Sequence, residues 1–191
     1  MSSKDNIALA LGATPKVNEG VNGLQRRPNT HELILRNLCE RDLDAILYIE
    51  AGAYSHPWTR TNFLDSLNSQ YPMQGLFVPC AQTGEDSLVG YFVAMKGVDE
   101  VHLLNLTVAP DYQRRGYAKH LLNLLREWAV HNELTWIWLE VRQSNTAAIA
   151  LYTSYGFLKS GVRKNYYPLG IKGSQEREDA LLMSYHITTC N

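Results

Sequence analysis

Two places in this 191-residue chain combine residue types that could do chemistry. The first is Glu140, inside the run WIWLEV from Trp136 to Val141. A carboxylate among so many apolar neighbours is either satisfied by a partner or marks a site, because an unpaired charge away from water is costly. Apolar surroundings also raise a carboxyl pKa, which suits a general base. The competing reading is a strand-end glutamate that faces solvent beside Arg142. The second place is QRRGYA, Gln113 to Ala118, between the apolar runs VHLLNLTVAP and KHLLNLLREWAV. A helix N-terminus carries unpaired N–H groups and the positive end of the dipole, so it binds phosphate readily. Gly116 lets the backbone approach closely, Ala118 adds little bulk, and Arg114 and Arg115 supply charge that phosphates can use. The local chemistry points to a pyrophosphate, with a basic solvated turn as the alternative. Neither GxxxxGK[ST] nor GxGxxG occurs in the chain, so the two commonest phosphate-loop signatures are absent.

These residues need elements to hold them. HELILRNL alternates like a strand, and ERDLDAILYIEAGAY reads as a helix with Leu43, Ile46, Leu47 and Ile49 on or near one face. SHPWTRTNFLDSLN holds a Pro-Trp corner and a short helix with Phe63, Leu64 and Leu67 apolar. GLFVPCAQ and SLVGYFVAMKG form a hairpin through the turn-like TGED. VHLLNLTVAP is a strand that stops at Pro110. Ala118, Leu121, Leu122, Leu125, Trp128 and Ala129 then recur at helical spacing. TWIWLEV is apolar on both faces, as in a central strand covered on both sides. SNTAAIALYTSYGF reads as a helix with Ser144 or Asn145 at the N-cap and Gly156 at the C-terminal left-handed position. FLKSGVRKNYY and DALLMSYHI close the chain as strands. This order predicts an α/β fold with helices on both faces of one sheet.

Composition narrows the function classes. Lys plus Arg number 18 against 19 Asp plus Glu, which argues against bulk electrostatic binding to nucleic acid or membrane. Cys39, Cys80 and Cys190 are odd in number and far apart, so a disulfide framework and a cysteine zinc site are not expected, and a reducing cytoplasm fits. The histidines form no HxxxH-type pair, so no metal site is expected. No apolar run approaches the roughly 18 residues of a transmembrane helix. Asp5 sits where a signal peptide needs only positive charge. Residues 1–30 are rich in Gly, Pro, Asn and Thr and read as a disordered tail; Arg26 and Arg27 are the one hint of a docking arm.

The surroundings of QRRGYA carry a resemblance. LTVAPDYQRRGYAKHLL resembles the acetyl-CoA-binding motif of the GNAT acetyltransferase superfamily, whose loop reads Q/R-x-x-G-x-G/A: here Gln113, Gly116 and Ala118. WLEVRQSNTAAIALYTSYGF, RKNYYP, REDALLMSY and, upstream, DLDAILYIEAGAYSHPWT resemble its subgroup of bacterial ribosomal-protein alanine N-acetyltransferases. The likeness runs from about Leu33 to Ser184. The first 30 residues have no counterpart in it, and GIKGSQ has none so clear. The resemblance implies a GNAT domain over 31–188. Its fold would be a single mixed, mostly antiparallel sheet with a splayed central strand pair and helices on both faces. It implies that the backbone of Leu106, Thr107 and Val108 pairs with the pantetheine arm of acetyl-CoA. The pyrophosphate would lie over Arg114, Arg115, Gly116, Tyr117, Ala118 and Lys119. Asn145 resembles a cofactor-contacting asparagine, although a plain N-cap is equally in keeping with its place.

By the same resemblance Glu140 is the general base, directly or through a water, and Tyr152 the general acid beside the departing thiolate. At helical spacing with Ala148, Ile149 and Tyr155, Tyr152 reads on its own as a core aromatic. Tyr155 is the residue most easily confused with it. A phenol with pKa near 10 can protonate a thiolate of about 8.5, uphill by about 2 kcal/mol. YSHPW (Tyr54 to Trp58) and NYYP (Asn165 to Pro168) resemble the subgroup's peptide-side loops, with His56 where an apolar residue is expected. The implied reaction is direct acetyl transfer, with acetyl-CoA as donor, no metal, and no covalent enzyme intermediate. The implied acceptor is the N-terminal alanine of small-subunit ribosomal protein eighteen. An α-amine of pKa about 7.8 is roughly a tenth neutral at pH 7, whereas a lysine amine is about 0.04% neutral. A terminal amine therefore asks little of one carboxylate. Nucleic acid and membrane are not expected as direct partners, and the chain is expected to be a monomer or weak oligomer. The rival readings are a lysine or small-amine acetyltransferase of the same fold, and a non-catalytic acyl-CoA-binding regulator.

Overall fold

The computed structural model describes residues 33–79, 86–169 and 176–188. The expectations for the 1–30 tail, His31, Cys80, Cys190, GIKGSQ and the hairpin turn ahead of Asp86 lie outside those residues. The described chain runs β1 (Ile34–Asn37), α1 (Leu43–Ala53), α2 (Arg60–Asn68), β2 (Met73–Pro79), β3 (Asp86–Lys96), β4 (Glu100–Val108), α3 (Tyr117–His131), β5 (Trp136–Arg142), α4 (Thr146–Tyr155), β6 (Leu158–Pro168) and β7 (Arg177–His186). All seven strands form one sheet in the order β1-β2-β3-β4-β5-β7-β6. Every neighbouring pair is antiparallel except β4 with β5.

That parallel pair makes the site. It is joined only from Glu100↔Trp136 to Leu103↔Leu139. Beyond Leu103, β4 stays with β3 while β5 stays with β7 as far as Arg142, so the sheet opens into a wedge. The β3 register shifts between Val93↔Asn105 and Ala94↔Leu103, which leaves Leu104 as an extra residue in β4. A bulge bends its strand and increases local twist, and this one falls where the two strands begin to part. The expected splayed central pair is therefore present, as are helices on both faces.

Two apolar cores fill the two faces. One packs Leu121, Leu122 and Leu125 of α3 against Phe92, Val101 and Ile137. The other packs Leu43, Ile46 and Phe63 of α1 and α2 against Tyr91 and Val93. Burying each such side chain contributes ~1.5–3 kcal/mol. Helix caps fall where the sequence puts them. Asn145 caps α4 by accepting from the Ala148 amide at 3.1 Å, and Gly156 ends that helix at φ 114°.

β5 corrects one expectation. It is not covered on both sides: Ile137, Leu139 and Val141 are buried, while Trp136, Trp138, Glu140 and Arg142 alternate with them and are half-exposed. The reason is the placing of the helices. α3 packs on β3, β4 and β5, whereas α1 lies over β3 and β4. The tryptophans make one face of β5 look like core in sequence, yet Trp138 forms part of the wall of a groove.

Candidate active site

The wedge between β4 and β5 is a cleft of about 160 Å³. Its walls are α1 with the loop after it, the β4 edge, the end of β5, the first turns of α4, and Tyr167 of β6. A second groove of about 380 Å³ continues along the open face of β5 between Trp58, Trp138 and Tyr166, and Glu140 borders both.

Glu140 at the end of β5 and Tyr152 on the helix that follows both line this cleft. The Glu140 carboxylate points onto the open face of β5, where Oε1 accepts from Arg163 Nη1 at 2.7 Å. Its backbone carbonyl accepts from Tyr167 OH at 3.3 Å. The expectation of apolar surroundings is not met: Leu139 and Val141 point to the opposite face, and Glu140, with a side chain 30% exposed, is satisfied by a guanidinium. That guanidinium also lies 4.7 Å over the Tyr166 ring, which fixes it on its outer side. Tyr152 is buried on α4 and lines the cleft. Burial pushes its phenol well above the ordinary value of 10.0, and the neighbouring Tyr54 and Tyr167 phenols push the same way. Tyr155 points elsewhere: its hydroxyl donates to Asn123 Oδ1 at 2.9 Å and its ring packs on Phe157 and Tyr185. Burial, then Tyr185, raises the Tyr155 phenol to about 12. Of the two tyrosines, Tyr152 is the one at the cleft.

QRRGYA forms the turn into α3. Arg114 has φ 60° and Gly116 φ 87°. A side chain at Gly116 would meet nothing within 4 Å, so glycine is required by its backbone angle and not by crowding. That open space, the uncapped N-terminus of α3 and the exposed Arg114, Arg115 and Lys119 fit an anion. Tyr117 and Ala118 begin the helix half-buried. Gln113 faces back and donates from Nε2 to the Val108 carbonyl at 3.1 Å, tying the turn to β4. On β4, the Leu106 carbonyl accepts from Tyr54 OH at 3.2 Å, and the Thr107 side chain is buried beneath the strand. Asn145 both caps α4 and lines the cleft, so its two readings are compatible. Among the described residues no group of three or more His, Cys, Asp or Glu could hold a metal. Cys39 is exposed and unbridged.

The sequence reading missed Glu50. It lines the cleft from α1 and is buried at 1% exposure, with four hydrogen-bond donors on its carboxylate. The signal was there: Glu50 stands four residues after Ile46 and seven after Leu43, on the face that packs inward.

Comparison with known proteins agrees with this geometry. The family model described as Acetyltransferase (GNAT) family matches residues 43–157. Among curated relatives, the [ribosomal protein bS18]-alanine N-acetyltransferase of Haemophilus ducreyi is 34% identical over 81% of this chain and 100% of its own length. Its namesake from Escherichia coli K12 is 37% identical over 77% of this chain and 93% of its own. The crystal structure of the ribosomal-protein-S18-alanine N-acetyltransferase from Escherichia coli superposes with a TM-score of 0.70 at 33% identity, over 83% of this chain and 96% of that one. A sheet splayed after Leu103 and Leu139, a basic turn opening α3, and relatives matched along nearly their whole length lead to one assignment: this chain belongs to the acetyltransferase (GNAT) family.

Proposed function

We propose that the protein transfers the acetyl group of acetyl-CoA to the N-terminal alanine of a ribosomal protein, the bS18 homologue, in the cytoplasm. The observation that carries this reading is the meeting of Glu140 and Tyr152 at the wedge, in a chain whose relatives of that activity are matched along nearly their whole length. Acetyl-CoA lies along the β4 edge, with its pyrophosphate over residues 114–119 and its thioester at the wedge. The acceptor enters by the groove beside Trp58, Tyr166 and Tyr167. Glu140, directly or through a water, takes a proton from the α-amine. The nitrogen attacks the thioester carbonyl, the new C–N bond forms, and the C–S bond of the tetrahedral intermediate breaks. Tyr152 presents its O–H to the departing thiolate. With its phenol raised by burial, full proton transfer is more uphill than for a free tyrosine, so the hydroxyl acts first as a hydrogen-bond donor to the developing charge. No bond to the enzyme is made.

Mass spectrometry tests the reading. A peptide with the bS18 N-terminus and every lysine replaced, incubated with acetyl-CoA and enzyme, gains one acetyl group on its α-amine. Acetylation confined to lysine-bearing or small-amine acceptors would overturn it in favour of the nearest rival.

A further inference from the structure

One carboxylate at the cleft has no part in this mechanism. Glu50 lies in the last turn of α1 and is essentially inaccessible to solvent. Its Oε1 accepts from Asn105 Nδ2 at 3.0 Å and from Tyr91 OH, and shares the one Thr107 hydroxyl proton, at 3.2 Å, with Asn105 Oδ1 at 2.7 Å. Its Oε2 accepts from the Trp58 amide at 2.8 Å. The Thr107 hydroxyl also stands 3.0 Å from Tyr54 OH, and that phenol reaches the Leu106 carbonyl. One side chain thus joins α1, β3, β4 and the loop after α1.

A buried carboxylate is costly unless its lone pairs are filled, and here donors from three other segments, β3, β4 and the loop after α1, fill them. The group is acceptor-only when ionised, which is what four converging donors require. An apolar core would have been a simpler way to seal this face. What the carboxylate adds is a fixed relation between two walls of the cleft. The loop with Tyr54 and Trp58 bounds the side where the acceptor enters, and Leu106 and Thr107 belong to the strand edge that the donor lies along.

We infer that Glu50 is a positioning residue that locks the acceptor-side loop to the donor-side strand, so that amine and thioester meet at a set distance. The inference rests on the function proposed above. Glu50→Gln keeps the volume but turns an amide N–H₂ toward one set of donors. Oε1 has three donors to satisfy, so the N–H₂ takes the place of Oε2 and meets the Trp58 amide, and the loop is released.

The test is steady-state kinetics on purified full-length protein, with whichever amine acceptor the wild type acetylates best. Failure of the alanine peptide as substrate is thereby separate from failure of this inference. Glu50→Gln should raise KM for the acceptor about tenfold or more, the loss of one charge-assisted hydrogen bond, and leave KM for acetyl-CoA within about threefold. Thr107→Val, which removes the hydroxyl that links Glu50, Asn105 and Tyr54, should move the acceptor KM in the same direction; it decides the matter if Glu50→Gln does not fold. Tyr91→Phe is the control, because its hydroxyl bonds Glu50 but no loop atom. It should lower thermal stability and leave the acceptor KM in place. Unchanged KM in both Glu50→Gln and Thr107→Val, or an equal rise in Tyr91→Phe, would reduce Glu50 to a prop for the fold and overturn the inference.

Discussion

Glu140 and Arg163 show how far single residues can be read. The carboxylate stood out in sequence because its neighbours are apolar, and the resemblance gave it a role. Its partner did not stand out, because Arg163 lies 23 positions away on β6 and reaches Glu140 across β7. The apolar neighbours were misleading for a simple reason: on a strand, adjacent side chains face opposite ways. Removing the base by Glu140→Gln should lower kcat/KM by ~10²–10⁴-fold with little change in melting temperature, since the side chain is half-exposed and its ion pair is on the surface. An equal loss of stability and activity would assign Glu140 to the fold. Tyr152→Phe should lower kcat and spare KM for acetyl-CoA. The direction of its pKa gives a second check. A raised pKa keeps the phenol protonated to higher pH, so kcat should show no alkaline fall between about pH 8 and 10, where a free tyrosine begins to ionise. An alkaline limb in that range that vanishes in Tyr152→Phe would contradict the burial seen here.

At the scale of elements, helices were the easy part, because each buries one stripe whose spacing is local. Leu121, Leu122 and Leu125 mark α3 without knowledge of its partners, although Leu124 is buried too and Trp128 only partly. β6 was harder. Its register with β7 goes from Arg163↔Ala180 to Tyr167↔Glu178, so Lys164, Asn165 and Tyr166 stand opposite Asp179 alone. Asp179 holds this wide bulge by accepting from Lys164 Nζ at 2.7 Å and from the Asn165 amide at 3.0 Å. Asn165 sits at φ 50°, a left-handed angle that asparagine tolerates better than most residues. The bulge aims Arg163 at Glu140 and sets Tyr166 and Tyr167 on the groove. Nothing in RKNYYP announces a bulge, because it is made by a carboxylate from another strand. Asp179→Ala should therefore raise KM for the acceptor several-fold and leave KM for acetyl-CoA unchanged, measured by varying each substrate against the other. Equal effects on both would mean that the bulge serves the sheet and not the groove.

The whole molecule depends on pairings that no local pattern discloses. β7, last in sequence, enters between β5 and β6, and the wedge exists because the β4–β5 pairing ends at Leu103 and Leu139 while β5 stays paired with β7 on its other edge. The family resemblance made this arrangement legible; periodicity gave only the kinds of element. A sheet divided by a cleft needs ties on each side of it, and two are carboxylates whose titration can be followed. Glu178 binds Arg142 Nη1 at 2.8 Å and the Ser144 amide at 3.1 Å, so it fastens β7 to the end of β5 and to the turn before α4. Asp42 binds Arg36 through both oxygens, at 2.6 and 2.8 Å, and ties the start of α1 to β1. In each, burial opposes the charge, but the hydrogen bonds from arginine and backbone prevail and hold the carboxyl below its ordinary value, 4.5 for Glu178 and 3.8 for Asp42. A depressed folded pKa means that the unfolded chain binds protons first as the pH drops. The stabilisation is then complete above those ordinary values and is lost as the pH falls through the lower folded ones. Melting temperature should stay level from about pH 7 to 5 and fall steeply below about 4.5. Glu178→Gln should start lower at neutral pH and fall less steeply, because it no longer has that proton to take up. Parallel curves for variant and wild type between about pH 5 and 3 would mean that the Arg142–Glu178 tie does not hold the β5 side of the wedge together.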